Sequence, residues 1–187
     1  MKERAGNSNT KTPIFAVMVI IAVALSIASG CAKKKSDVNY ITGHDYLYDV
    51  AIDYLREEYM KDEESEKEYW EAELEDYQVF FDYKGYGISQ ENNKKFAYML
   101  ILNEAFYVVN GEFQQGSGSS MPYRFEFEND KVVNYEVPMD GTLYASSIKE
   151  IFPDDIADEI FNFNYYGNEL SVDDKVKEYY SYLDSSD

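Results

Sequence analysis

The hydrophobic pattern predicts an α+β domain. Apolar residues recur first at helical spacing, then alternate with period two through the middle, then return to helical spacing. Turn residues between the alternating runs make the middle an antiparallel meander. Composition permits a real core: 45% of the 187 residues are apolar, including 19 Tyr and 11 Phe, far from the make-up of a disordered segment. The expected architecture is an N-terminal helix packed on a meander of about four strands, followed by short C-terminal helices, one helical layer against one sheet.

The chain opens on Lys2, Arg4 and Lys11, continues through a 14-residue apolar run over residues 14–27, and reaches Ala28, Ser29, Gly30 and Cys31. A basic start, an apolar centre and a small-residue end are the three parts of a secretory signal peptide. The run is shorter than the roughly 20 residues a stable membrane-crossing helix needs. Residues 28–31 resemble the lipobox of bacterial, in particular Gram-positive, lipoproteins, with Ala28 where leucine is usual. The resemblance implies cleavage between Gly30 and Cys31, a diacylglyceryl group on Cys31 and acyl chains such as palmitate. Two acyl chains make anchoring stable where one is marginal. Lys33, Lys34 and Lys35 follow at once, and each adds about 1 kcal/mol beside an anionic leaflet. The expected organisation is a signal peptide over residues 1–30, a lipidated tether over 31–41 and a single acidic α+β domain over 42–187. Its expected place is the extracytoplasmic face of the cell membrane.

Within the domain, Thr42 and Asp45 form a capping pattern ahead of Leu47, Val50, Ala51, Tyr54 and Leu55, which recur at helical spacing to about Met60. Residues 61–68 are charge-rich and either extend that helix or connect it onward. Alternation starts near Glu73: Tyr77, Val79, Phe81 and Tyr83 share one face. Gly85, Gly87, Asn92 and Asn93 mark a reversal. Phe96, Tyr98, Leu100 and Leu102 alternate with the equally apolar Ala97, Met99 and Ile101, so this strand is central and covered on both sides. Tyr123, Phe125 and Phe127 alternate with Arg124, Glu126 and Glu128. Asn129 and Asp130 form a tight hairpin turn, and Val133, Tyr135 and Val137 make the apolar face of the next strand. Ser147 with Glu150, and Ser171 with Asp174, are read as helix caps. Pro153 suits the first turn of a helix carrying Ile156, Ile160 and Phe161. The last helix buries Val172, Val176, Tyr179, Tyr180 and Leu183. Cystatin-like and nuclear-transport-factor-like folds share this helix-then-meander order, an analogy without functional content.

Charge and composition restrict function. The formal charge is −19. Removing residues 1–30 takes away Lys2, Arg4, Lys11 and Glu3, leaving 14 basic against 35 acidic side chains, a charge of −21. A nucleic-acid partner is excluded, because phosphate binding needs clustered Lys and Arg. With Cys31 acylated, no thiol remains for a disulfide. One His and one Cys are too few ligands for a zinc, haem or iron–sulfur centre, and no cofactor is expected.

Candidate chemistry is sparse. Gly116, Ser117, Gly118, Ser119 and Ser120 resemble a phosphate cradle, but Met121 and Pro122 follow instead of a lysine and a helix, so the segment is expected to be a loop between strands. His44 beside Asp45 lacks any nucleophile in a recognisable motif. Asp154 with Asp155, Asp158 with Glu159, Asp173 with Asp174, and Glu71, Glu73 and Glu75 are carboxylate groups of the kind glycosidases use at separations of about 5–10 Å; among so many acids they read as a solvated face. Tyr165 with Tyr166, and Tyr179 with Tyr180, cannot all point inward and suggest a tyrosine-lined binding patch.

Residues 117–153, with Pro138, Asp140, Gly141, Tyr144, Ile148, Phe152 and Pro153, resemble a segment of uncharacterised Gram-positive lipoproteins. They are also similar to the extracytoplasmic tail of beta-lactam-sensor-type membrane metallopeptidases. The resemblance carries no active-site residue and implies no peptidase activity, since the zinc-binding helix of that family has no counterpart here. The expected function is non-enzymatic binding or sensing at the cell envelope, with membrane lipid held through Cys31 and an envelope protein or glycan as ligand. The alternative is an envelope glycan hydrolase using paired carboxylates.

Overall fold

The structure, a computed structural model, describes residues 38–61, 75–164, 167 and 169–181. Over these the protein is α+β. Strand β1 (Tyr40–Ile41) leads into helix α1 (Tyr46–Lys61). Strands β2 (Glu75–Glu91), β3 (Lys94–Val109), β4 (Glu112–Glu128) and β5 (Lys131–Glu136) follow, then a 3-10 turn at Gly141–Leu143 and helices α2 (Tyr144–Ile151), α3 (Asp154–Asn162) and α4 (Asp173–Tyr179). The sheet is antiparallel throughout, in the order β1-β2-β3-β4-β5. Gly30, Cys31, the three lysines after it, Glu71, Glu73, Tyr165, Tyr166 and Leu183 lie outside the described residues.

Three tight turns build the meander. The backbone is left-handed at Asn92, at Asn110 and Gly111, and at Asn129 and Asp130, the conformation that two-residue hairpin turns need and that Asn, Asp and Gly tolerate. The second turn corrects the expectation for Gly116 to Ser120. The chain reverses at Asn110 and Gly111, and the glycine–serine stretch lies inside β4, where Gly118 faces Glu104 and Ser119 faces Asn103. Gly116 and Ser117 stand opposite Ala105 alone, a β-bulge. A Cβ on Gly116 would come within 2.9 Å of the Tyr107 ring, so the glycine permits close cross-strand packing. Gly85 and Gly87 likewise belong to a bulge inside β2 and not to a reversal.

Both faces of the sheet are covered. On one, α1 lays Leu47, Ala51, Ile52 and Leu55 against Val79, Phe81, Met99, Ile101, Tyr123, Phe125 and Phe127. On the other, α2 and α3 bury Ile148, Phe152, Ile156 and Ile160 against Tyr98, while Val172, Val176 and Tyr180 close over Phe106 and Val108. Strand β3, with Leu100 and Ile101 both fully buried, is therefore apolar on both sides. Such two-sided burial erases the alternation a half-exposed strand shows.

Local departures from expectation have local causes. Helix α1 begins at Tyr46, because Thr42 and Gly43 belong to the bend leaving β1 and the Asp45 carbonyl accepts from the Tyr48 N–H (3.0 Å). Ser147 is interior to α2. Its hydroxyl donates to the Leu143 and Tyr144 carbonyls and accepts the Met139 N–H (2.9 Å), pinning the preceding loop. Pro153 stands just before α3 and not in its first turn. In β5 a bulge places Val132 opposite Phe127 and leaves Val133 half exposed, so Val132 and Val137 pack on the core where Val133 was expected.

Candidate binding groove at the sheet edge

Strand β2 has 17 residues, yet among the described residues its outer edge is paired only where Tyr40 and Ile41 meet Ser89 and Ile88. The rest of that edge looks into a groove of about 500 Å³, within the size range of ligand sites. Helix α1 supplies Asp49, Ile52, Asp53 and Arg56, one helical flank. Strand β2 supplies residues 78–81 and Tyr83, and α4 supplies Lys175 and Tyr179. The wall residues stand beside buried ones: Leu47, Ala51 and Leu55 fix the rotation of α1, and Val172, Val176 and Tyr180 fix that of α4.

The floor is backbone. The Lys175 ammonium donates to the Phe81 carbonyl (2.6 Å) and to the Asp82 carboxylate (3.3 Å), so the Phe81 carbonyl points away from β3. In an antiparallel ladder a residue's N–H and C=O point the same way and alternate residues share that direction. Val79, Phe81 and Tyr83 therefore turn their peptide groups to the groove, while Phe80 and Asp82 pair with Glu104 and Leu102 of β3. Two phenols close the ends. Tyr180 donates to the Asp76 carbonyl (2.7 Å), and Tyr48 accepts the Gly87 N–H (3.0 Å). The Tyr48 ring sits where a Cβ on Gly85 would be, 2.6 Å away, so only glycine seats that ring at the strand.

Each carboxylate in the groove has a donor. Tyr83 donates to Asp49 (3.0 Å), Arg56 pairs with Asp53 (2.7 Å), and Asp82 accepts from Lys175 and from the Ser171 N–H (3.0 Å). Burial, and then the Asp49 carboxylate, push the Tyr83 phenol up to about 12. Burial and the Asp76 carboxylate, which Tyr179 meets at 2.9 Å, raise Tyr179 as well. Arg56 lies over the Phe81 ring at 5.8 Å, a cation–π contact. Deeper in, buried Asn103 donates to Tyr59 (3.1 Å) and Ser119 (2.9 Å), tying the end of α1 to the sheet.

The residues singled out from sequence are dispersed. His44 Nδ1–H donates to the Thr42 carbonyl (2.9 Å), and the ring lies 6.0 Å from the Tyr46 ring, at the exposed start of α1. Asp155 accepts both bonds of the Tyr40 hydroxyl (3.0 and 2.9 Å), holding β1 to α3. Asp158 and Glu159 are exposed on α3, as are Asp173 and Asp174 on α4. Among the described residues no three His, Cys, Asp or Glu side chains come together as a metal set, and no helix is long and apolar enough to cross a membrane. Of the tyrosine pair, Tyr180 is buried and Tyr179 half exposed at the groove. Asp49, Asp53, Arg56, Asp82 and Lys175 carry no motif in the sequence, and Tyr83 reads there only as part of a strand face. The one available signal was Asp49, Asp53 and Arg56 at helical spacing beside the apolar stripe of α1.

Comparison of the chain with protein-family models, with curated proteins and with solved structures finds no match.

Proposed function

We propose that this protein is a lipid-anchored extracytoplasmic binding module, held at the cell membrane by acylated Cys31 and taking its ligand in the β2-edge groove. The signal pattern ending at Gly30 and Cys31 supports the anchor, and the likeness of residues 117–153 to Gram-positive lipoprotein segments fits it. The helix-before-meander order of cystatin-like and nuclear-transport-factor-like folds is part of this reading, as architecture only. The observation that carries the binding role is the groove itself: an open strand edge between two helices, lined by charge, phenol and exposed peptide groups. The glycan-hydrolase reading is weaker. A general acid needs apolar surroundings that keep it protonated, whereas Asp49, Asp53 and Asp82 each accept bonds suited to a carboxylate.

Two measurements test this. Cys31→Ser is expected to move the protein out of the membrane fraction and abolish uptake of labelled fatty acid. A variant that stays membrane-bound, with no label on the unchanged protein, overturns the anchor. A photocrosslinking residue at position 78, in the groove, is expected to give adducts in envelope preparations that the same residue at position 150 does not. Equal or absent adducts overturn the groove as ligand surface.

A further inference from the structure

We propose that the open stretch of β2, residues 78–83, accepts an extended cationic peptide as an added strand, pairing with Val79, Phe81 and Tyr83 and setting a basic side chain against Asp49. This rests on the reading of the groove as the ligand surface and says what kind of ligand enters.

Three observations converge on it. First, β1 already pairs with β2 in this lane, at Ser89 and Ile88, so the edge accepts a strand. Second, the Phe81 carbonyl accepts the Lys175 ammonium at 2.6 Å, which marks it as an acceptor left over by the ladder. Lysine reaching over an exposed edge is a known guard against unwanted strand pairing. An incoming peptide N–H replaces the ammonium, which keeps Asp82 as its partner. Third, the lane is closed at both ends, by Tyr180 on Asp76 and by Tyr48 on Gly87. Between those ends the open residues 78–83 match a fully extended stretch of about six residues, at roughly 3.3 Å each. Main-chain pairing then gives affinity, and alternate side chains fall to the α1 wall or the α4 wall.

Charge selects the occupant. Among the described residues Asp49 has the neutral Tyr83 phenol as its donor and no cation. The whole chain is −19, which draws cationic partners and slows like-charged ones. A second copy of this chain is therefore a poor occupant, and a basic peptide from another envelope protein a good one. An Arg side chain also suits the exposed Tyr179 ring, 43% accessible, through cation–π contact.

The test uses the isotopically labelled full chain, solubilised in detergent, and three synthetic probes in NMR titration. These are the acetylated peptide Thr-Val-Arg-Val-Thr-Val, its Glu-for-Arg version, and the Arg peptide with alternate amides N-methylated. The expected result is saturable shifts of the Val79, Phe81 and Tyr83 amides with the Arg peptide. N-methylation on the pairing side is expected to weaken binding roughly tenfold or more, since each lost hydrogen bond is worth about 1 kcal/mol. The Glu peptide and Asp49→Asn are each expected to weaken it several-fold, while Glu150→Gln changes nothing. Equal binding of the methylated peptide, or shifts confined to other surfaces, overturns strand addition. If chitohexaose shifts these amides and no peptide does, the groove reading survives and this inference falls. If nothing shifts them and position 78 gives no adducts, both fall.

Discussion

The two edges of the sheet are managed in opposite ways. Strand β5 is six residues long, bulged at Val133, and followed two residues on by Pro138, which cannot donate to a ladder. Short length, a bulge and proline are the usual means of making an edge unfit for pairing. Strand β2 is almost three times as long and is left open beside residues 78–83, but both helical layers rise beside it and three side chains, from Tyr48, Lys175 and Tyr180, are posted along its backbone. One edge is blunted and the other is framed. The open edge is therefore not simply where the sheet runs out of strands. Framing costs ordered side chains from two helices, which a plain edge does not require.

Substitution can break that contrast. Phe81→Ala removes a side chain that is 4% exposed and packs edge-on to Tyr59 (5.7 Å). A loss of about 3–5 kcal/mol is expected, read by urea unfolding, whereas Val133→Ala at the other edge, 51% exposed, is expected to stay within about 0.5 kcal/mol. Equal losses would mean the two edges are built alike. Gly85→Ala drives a methyl into the Tyr48 ring and is expected to cost about 1–3 kcal/mol, the range for overpacking. Combined with Tyr48→Ala the two losses should be clearly less than additive, since each acts on the same contact.

Smaller effects sharpen it. Tyr83 is held protonated by burial and by Asp49, up to about 12 against an ordinary value near 10. A folded-state value above the unfolded one adds stability that is fully present below about pH 10 and is lost as pH rises toward 12. Tyrosinate absorbance should therefore show Tyr83→Phe removing a late-titrating group, and the variant's stability should fall less steeply in that alkaline window. The least visible change is Lys175→Met. The ion pair with Asp82 is half exposed and worth at most about 1 kcal/mol, so unfolding should barely move. Affinity for the Arg peptide should nonetheless rise several-fold in NMR titration, because the ammonium no longer competes for the Phe81 carbonyl.

What the sequence made legible follows from period and turn chemistry. Val79, Phe81 and Tyr83 share a face as their alternation requires, and Asn129 with Asp130 turns the chain because both residues tolerate left-handed backbone. Asn110 with Gly111 carries an equally strong hairpin signal, but the glycines and serines six residues later drew the reversal to themselves. Their role is packing under Tyr107, which only the partner strand reveals. Val133 was misplaced because a bulge shifts every later side chain by one and leaves no mark in composition. The groove was illegible for a different reason. Which strand ends at the edge, and which carbonyl looks outward, are properties of strand order and register, and Lys175 lies 94 residues from the carbonyl it meets.

Native-state amide hydrogen exchange on the labelled full chain reads the open edge of β2 itself. An open slot predicts fast exchange at Val79, Phe81 and Tyr83, although their side chains are largely buried, and slow exchange at Phe80 and Asp82, which pair with β3. Addition of the Arg peptide should slow the first three and leave the other two unchanged. Uniform protection across residues 79–83 in the free protein would mean that the lane is already filled and the edge of β2 is not open.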